Sequence, residues 1–168
     1  MKLTVKTKLL CSKEQLVILE ATLAVCNSAA NVASKYAFEN KTFSRFSLHK
    51  YLYKRLREQF PISAQCAVRA FGKVADSYKI NKTRKHMFRS TGAFPYDARI
   101  LTFFGSEVSI WSLQGRLHIP LAIGEYQKNL LKYQKGECDL LIKKGKAYLL
   151  CTVDVPEVVL QEHRQFLG

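Results

Sequence analysis

The sequence has few acidic residues, few prolines and no glycine-rich phosphate loop. Its 168 residues carry 27 Lys+Arg against 13 Asp+Glu, which gives a formal net charge of +14 at pH 7. A positive excess of this size indicates an anionic partner such as RNA, DNA or an acidic membrane surface. The hydrophobic content of 48% is ordinary for a globular protein of one domain or two small ones.

Paired cysteines and long apolar runs are also missing. The five cysteines form no Cys-x-x-Cys motif, which excludes the common zinc sites. Their apolar neighbours indicate small, reduced core residues of an intracellular protein. The N-terminus has no signal-peptide pattern, and no segment approaches the roughly 20 apolar residues that cross a bilayer. We therefore predict a cytoplasmic protein without membrane contact and without a metal or cofactor.

The sequence contains no arrangement of residues typical of catalysis. The four histidines lack ligand or triad spacing, and a two-metal nuclease needs clustered carboxylates. Asp97, Asp139 and Asp154 lie in or beside predicted strands. Alternation places Asp139 and Asp154 opposite Cys138 and Cys151, on the outside of the sheet, where we expect ion pairs with neighbouring lysines. We predict no enzymatic activity.

Hydrophobic periodicity predicts one strand followed by three helices. Residues 2–10 alternate as a half-buried strand. Ser12 opens a capping box ahead of a long helix over 13–38. A polar loop leads to a second helix over 47–59, and Ser63 caps a third helix that ends in a basic linker.

The second half of the chain changes to a period of two. One short helix at 125–134 and five strands are predicted, at 97–104, 107–113, 116–123, 138–143 and 146–154. The first strand needs partners, which these later strands supply. The sequence therefore predicts an α+β fold: a small antiparallel β-barrel, like an oligonucleotide-binding domain, interrupted after its first strand by a basic three-helix insertion. The predicted boundaries are 1–11 and 88–156 for the barrel, 12–87 for the insertion and 157–168 for an irregular tail.

The positive charge is concentrated in the predicted insertion. Between Lys35 and Arg89 the chain carries 14 Lys+Arg against three acids, a net of +11, while the remainder has a net of +3. Solvated helices ordinarily mix both signs, so this asymmetry predicts a surface that binds phosphates. The residues expected to bind nucleic acid are Lys50, Lys54, Arg55, Arg57, Gln65, Arg69, Lys73, Lys79, Lys82, Arg84, Lys85, Arg89, and, on a smaller second stripe, Lys128 and Lys132.

Some of these residues have distinct predicted roles. The cations of the second helix and of the 79–89 linker are expected to hold phosphates without reading sequence, with His86 assisting. Because the linker is so strongly basic, we do not expect it to pack against the rest of the protein. Gln65 and Arg69, one turn apart on the third helix, are candidates to read bases, since Gln pairs with adenine and Arg with guanine.

Aromatic residues are interleaved with this charge. Tyr51, Tyr53 and Phe88 are candidates to stack on unpaired bases, and we expect at least one exposed ring. Phe43 and Phe46, in the loop before the second helix, are predicted to belong to the core.

Several stretches resemble the N-terminal part of a known family. They are SKEQ at 12–15, NSAAN at 27–31, ADSY at 75–78, YDARIL at 96–101, GRLHIP at 115–120 and the strand at 148–156. In this order and spacing, the chain resembles the TnpB (OrfB) proteins of bacterial and archaeal insertion sequences, compact relatives of the type V CRISPR effectors. The resemblance implies a wedge barrel and an inserted recognition domain over about 13–85. It also implies guide RNA and a target DNA duplex as partners.

The chain departs from the family after its last strand. The family resemblance would place a RuvC-like nuclease there, with three carboxylates, Mg²⁺ and an embedded zinc finger. The residues after Pro156 contain no Gly-x-Asp strand, so we expect a module cut off at the nuclease boundary, with a separately encoded nuclease half as a further partner. Two alternatives are an inactive remnant of a mobile element and a small helix-turn-helix regulator built from the second and third helices.

Overall fold

The structure is a computed structural model that describes residues 1–167, with side chains described as far as Glu162. One strand is followed by three helices, then by six strands with a short helix among them, and then by a last helix. In chain order the elements are β1 (Lys2–Leu9), α1 (Lys13–Asn40), α2 (Arg45–Gln59), α3 (Ala64–Ile80), β2 (Phe94–Tyr96), β3 (Leu101–Phe104), β4 (Glu107–Ser112), β5 (Gly115–Ala122), α4 (Glu125–Leu131), β6 (Gln134–Lys143), β7 (Lys146–Asp154) and α5 (Glu157–Leu167).

The seven strands form one antiparallel sheet in the order β2-β6-β7-β1-β5-β4-β3. Strand β1 lies at its centre and pairs with β7 from Lys2 opposite Asp154 to Leu9 opposite Ala147. The sheet curls until its two edges approach, where the Tyr96 hydroxyl donates to the Trp111 carbonyl at 3.0 Å. The result is a nearly closed barrel with the helices inserted after the first strand, which confirms the predicted fold class.

A serine caps each inserted helix. Helices α1 and α3 begin as the sequence predicts, whereas α2 begins at Arg45, two residues before its predicted start at 47. The side chain of the capping serine accepts a hydrogen bond from the backbone amide three residues on, which satisfies one amide left unpaired at the helix start. Small residues on α1 then let α3 approach closely, and leucines hold α2 against the same core. The caps are Ser12 for α1, Ser44 for α2 and Ser63 for α3.

Four of the five cysteines are buried in this core, and all five are free thiols. The sulfur atoms of Cys26 and Cys66 lie 3.2 Å apart between α1 and α3. That hydrogen bond, together with burial, raises the pKa of the Cys66 thiol, so it stays neutral. The prediction of small core residues is confirmed for these four, while Cys11 is half-buried.

The predicted strand at 97–104 is wrong at its start. Strand β2 comes earlier, at Phe94–Tyr96, and a turn then precedes β3. The turn forms because the Asp97 carbonyl accepts hydrogen bonds from the amides of Ile100 and Leu101. Pro95 concealed β2 in the sequence, but β2 is an edge strand, where a missing N–H costs no ladder bond.

The predicted irregular tail at 157–168 is also wrong, since α5 occupies Glu157–Leu167. Pro156 ends the strand pattern and precedes the first helical turn, a place where proline is tolerated. Leu160 of α5 is buried in a small cluster with Val5, Val153 and Val155. This apolar contact holds the start of α5 against the barrel.

Helix α1 is long and apolar enough to cross a membrane by length and composition, which corrects the prediction that no segment reaches this threshold. Much of its surface is nevertheless buried against α3 and the rest of the core. Core helices of soluble proteins pass the same test, and the burial of α1 is consistent with such a protein.

Candidate nucleic-acid interface

The outer face of α2 carries four exposed cations, Lys50, Lys54, Arg55 and Arg57, which we call the α2 row. Buried leucines on the opposite side of the helix fix this orientation. The one acid of α2, Glu58, lies 3.9 Å from Lys54 in an exposed pair that contributes little to stability. The α2 row is therefore placed as predicted and is open to a ligand.

The segment after α3, residues 81–93, has no acid and four exposed cations. We call Lys82, Arg84, Lys85 and Arg89 the loop row. The prediction that this linker does not pack is wrong. Its charged side chains face solvent, while polar side chains of α1 bind its backbone.

Three polar side chains of α1, one or two turns apart, hold the segment. Asn27 donates to the Gly92 carbonyl at 2.9 Å, and Ser34 donates to the His86 carbonyl. Asn31 donates to the Phe88 carbonyl at 3.0 Å. The loop row is thereby fixed on α1 rather than free to move as a linker.

Replacing Asn31 with alanine is expected to release this segment. Asn31 both donates to the Phe88 carbonyl and accepts from the Phe88 amide at 2.7 Å, so both backbone groups lose their partner. We expect a loss of about 1–3 kcal/mol in unfolding free energy and faster trypsin cleavage after Lys82, Arg84, Lys85 and Arg89. Limited proteolysis with mass spectrometry checks this. An unchanged cleavage rate would contradict the anchoring role.

The two rows lie on different flanks of α1. Helix α2 packs on one flank, where the Tyr51 ring lies 6.2 Å from the Tyr36 ring. The 81–93 segment packs through Asn31, and residues 31 and 36 are about 140° apart around a helix. An exposed strip of α1 that includes Lys35 separates the two rows. A ligand that covers this strip meets cations on both sides.

Gln65 and Arg69 were predicted to be open to a nucleic acid, but both are engaged within the protein. Gln65 donates to the Asp97 carboxylate and accepts from Arg99 at 3.1 Å. The Arg69 guanidinium contacts Glu137 of β6 and lies 3.4 Å from Asp97, and its side chain is only 15% exposed. These groups connect α3 to the barrel, which corrects their predicted role as base readers.

Lys73 is also engaged within the protein rather than open to a phosphate. Its ammonium group donates to Asn27 Oδ1 at 2.7 Å and to the Ala93 carbonyl. It lies 4.5 Å from the centre of the Phe88 ring and 5.8 Å from that of Phe94. Its role is to join α3 to α1 and to the start of β2.

The burial of Lys73 makes stability depend on pH. Burial lowers the pKa of Lys73 to about 8 from 10.5, and nearby Asp139 offsets part of this effect. The unfolded state therefore binds more protons than the folded state between pH 8 and 10.5, and the stability contributed by Lys73 rises with pH in that window. We expect the wild type to gain stability relative to Lys73→Met over this range. Urea unfolding of both proteins at each pH checks this. The hydrogen bonds that Lys73→Met removes change the unfolding free energy by the same amount at every pH, so the part of the difference that varies with pH reports the titration of Lys73. A constant difference would contradict it.

The remaining predicted residues divide into two groups. Lys79 is exposed at the end of α3, next to the loop row, and lies 3.5 Å from Asp76. Lys132 is exposed and Lys128 half-buried on α4, which packs against β1 and β7 of the barrel. The structure therefore places Lys79 beside the loop row, in an ion pair with Asp76, and leaves the α4 stripe separate from both rows.

Three lysines that the sequence analysis did not single out extend the basic surface onto the barrel. Lys143, Lys144 and Lys146, here called the hairpin tip, surround the β6–β7 turn, where residues 144 and 145 both have positive φ. A groove of about 400 Å³ runs between Arg89 and this turn, lined also by Lys143 and Lys144. The sequence signalled this turn only as the two-residue gap between the predicted strands at 138–143 and 146–154. Nothing in the sequence indicated that the turn lies near Arg89.

Two predictions about rings near the rows are wrong. Phe46, assigned to the core, is 80% exposed. His86 makes a 2.7 Å hydrogen bond to the Asn81 carbonyl and packs its ring against Tyr78, so it holds the segment instead of facing a phosphate. Two predictions are confirmed: Phe43 packs against the core, and Tyr51 is exposed.

The carboxylates considered for metal chemistry do not converge. Asp97 contacts Arg69, and Asp154 contacts the N-terminal ammonium group at 3.4 Å. Asp139 is half-buried rather than in a surface ion pair, and burial raises its pKa, as does Glu137. Among the residues that the structure describes, no group of three or more His, Cys, Asp or Glu is placed to hold a metal ion.

Together, the fold and this surface define an α+β protein with a nearly closed barrel and a basic helical insertion. No protein-family model matches the chain, and no curated protein matches it. The arguments for its function therefore come from its own residues.

Proposed function

We propose that this chain is a nucleic-acid-binding module that binds RNA and contacts a DNA duplex. One observation carries the proposal: residues 81–93 present four exposed cations and no acid, on a backbone that α1 holds in place. Cations on a fixed backbone neutralise phosphates and release counterions with no cost for ordering that backbone. The hairpin tip extends this surface across the groove beside Arg89, and the α2 row adds cations on the other side of the exposed strip of α1.

The proposal extends to the kind of protein. The order of elements agrees with the wedge barrel and inserted recognition helices that the resemblance to TnpB proteins implies. We propose a cytoplasmic module of a TnpB-like transposon protein that holds a guide RNA and binds next to a DNA target without cutting either one. A purified complex incubated with Mg²⁺ is expected to leave both nucleic acids at full length.

The test is binding across a salt series. The purified protein is offered a labelled RNA hairpin, a DNA duplex and vesicles of phosphatidylserine. If about six cations contact phosphates, log K is expected to fall with log salt at a slope of about −4 to −5. RNA that co-purifies with the protein is sequenced. Binding to vesicles but to neither nucleic acid would overturn the proposal.

A further inference from the structure

We propose that one face of α2, formed by Phe46, Lys50, Tyr53 and Arg57, binds the unpaired bases of a nucleic-acid strand. This inference rests on the proposed function and narrows it, because it makes single-stranded segments the ligand of this helix. We call these four residues the stacking face.

The first observation is the exposure of Phe46. Its ring is 80% exposed in the first turn of α2, among the largest exposures of any apolar side chain in the part of the chain that the structure describes. Phe43, three residues earlier, is the ring that packs inward, 4.9 Å from Tyr78. A ring that is four-fifths exposed contributes little to folding, so it is available for contact with a ligand.

The second observation is periodicity. Residues 46, 50, 53 and 57 follow one another at helical spacings of four, three and four, so they share one face of α2. That face alternates ring, cation, ring, cation. Phe46 is the exposed ring of this face, whereas Tyr53, about 10 Å further along the helix, is half-buried and packs against the core.

Internal contacts organise the far end of this face. The Tyr53 ring stacks on His49 with 4.7 Å between ring centres. Its hydroxyl accepts a hydrogen bond from the Arg57 guanidinium at 3.0 Å. Arg57 is thereby held beside a ring, a position suited to a phosphate adjoining a stacked base.

The chemistry favours unpaired bases over a duplex. A paired base exposes its edges in a groove and hides its faces, whereas an exposed phenyl ring needs a free base face. A protein partner fits less well, because α2 carries five cations and one acid, and one isolated ring lies far below the roughly 1,000 Å² of a specific interface.

Phe46→Ala tests the inference with little risk to the fold, since the side chain is exposed. We expect binding to a uridine-rich unpaired RNA strand to weaken by about 5-fold to 100-fold. The slope of log K against log salt should not change, because no cation is lost. Affinity for a matched duplex should not change either. Phe46→Trp should retain the affinity of the wild type.

Phe104→Ala is the matched control, because Phe104 is also an exposed phenyl, at 60%, but lies at the end of β3 in the barrel. It should leave both affinities unchanged. Equal losses for strand and duplex in Phe46→Ala, or no loss, would overturn the stacking face while leaving nucleic-acid binding in place. Sedimentation showing a dimer that Phe46→Ala dissociates would assign the ring to a second copy instead. A wild type that binds neither nucleic acid would overturn the proposed function itself.

Discussion

Replacing Arg69 with methionine is expected to destabilise the protein by about 3 kcal/mol. Arg69 lies on α3, and its guanidinium contacts Glu137 of β6 and Asp97. Methionine keeps most of the apolar stem but removes the charge, which leaves two largely buried carboxylates without their cation. Urea unfolding measures the change, and such a loss lowers the folded-to-unfolded ratio by more than 100-fold.

Arg45→Met is the matched control. Arg45 also contacts a carboxylate with two hydrogen bonds, both of 3.1 Å to Asp76, and it crosses α3 over Gly72. Its side chain is 47% exposed, against 15% for Arg69. Exposed pairs contribute about 0–1 kcal/mol, so Arg45→Met should cost less than about 1 kcal/mol. Equal losses in the two variants would show that burial does not set the strength of these pairs.

The Arg69 contacts matter for function because they connect two units that carry parts of one basic surface. The loop row belongs to the insertion, and the hairpin tip belongs to the barrel. Arg89 and Lys143 line one groove only while the insertion keeps its place on the barrel. Arg69, Gln65 and Lys73 were predicted to touch nucleic acid, and we infer that they act indirectly by holding this arrangement.

Much of the fold could be predicted from the sequence, because local signals determine it. Ser12 and Ser63, the two predicted caps, satisfy the first amides of their helices through contacts three residues away. Ser44 caps α2 in the same way, although the start of α2 was predicted two residues too late. Strand β7 matched its predicted bounds, since alternation reports directly which side of a strand is buried. The barrel followed because an N-terminal strand separated from all others by helices needs partners far along the chain.

The candidate site was predictable only where exposure follows from the helix itself. The α2 row qualifies, since three buried leucines orient it. The environment of Arg69 does not, because Glu137 is 68 residues away and approaches only through the pairing of β6. Phe43 and Phe46 show the same limit on a smaller scale, since their difference depends on whether Tyr78 lies beside the ring.

Replacing the four cations of the loop row with glutamine is expected to produce the largest change in binding. The positions are Lys82, Arg84, Lys85 and Arg89. Each phosphate contact contributes about 0.7 to the salt slope for a single strand, so the slope should become shallower by about 3. At physiological salt this corresponds to roughly 100-fold weaker binding. These side chains are exposed and their backbone is held by α1, so folding should be unaffected.

A second variant with the same net charge distinguishes binding at the loop row from a general attraction between the positive charge of the protein and a nucleic acid. It replaces Lys2, Lys13, Lys132 and Lys135, which are exposed and lie outside the two rows and the hairpin tip. If the loop row binds phosphates, this variant should keep most of the affinity and nearly the full slope. Exposed charges beyond a Debye length of about 8 Å are largely screened at physiological salt, so cations far from the ligand should contribute little. An equal loss in both variants would contradict a located surface and would mean that net charge alone drives binding. A larger loss in the second variant would move the binding surface to α4, as the predicted stripe at Lys128 and Lys132 proposes, and away from the loop row.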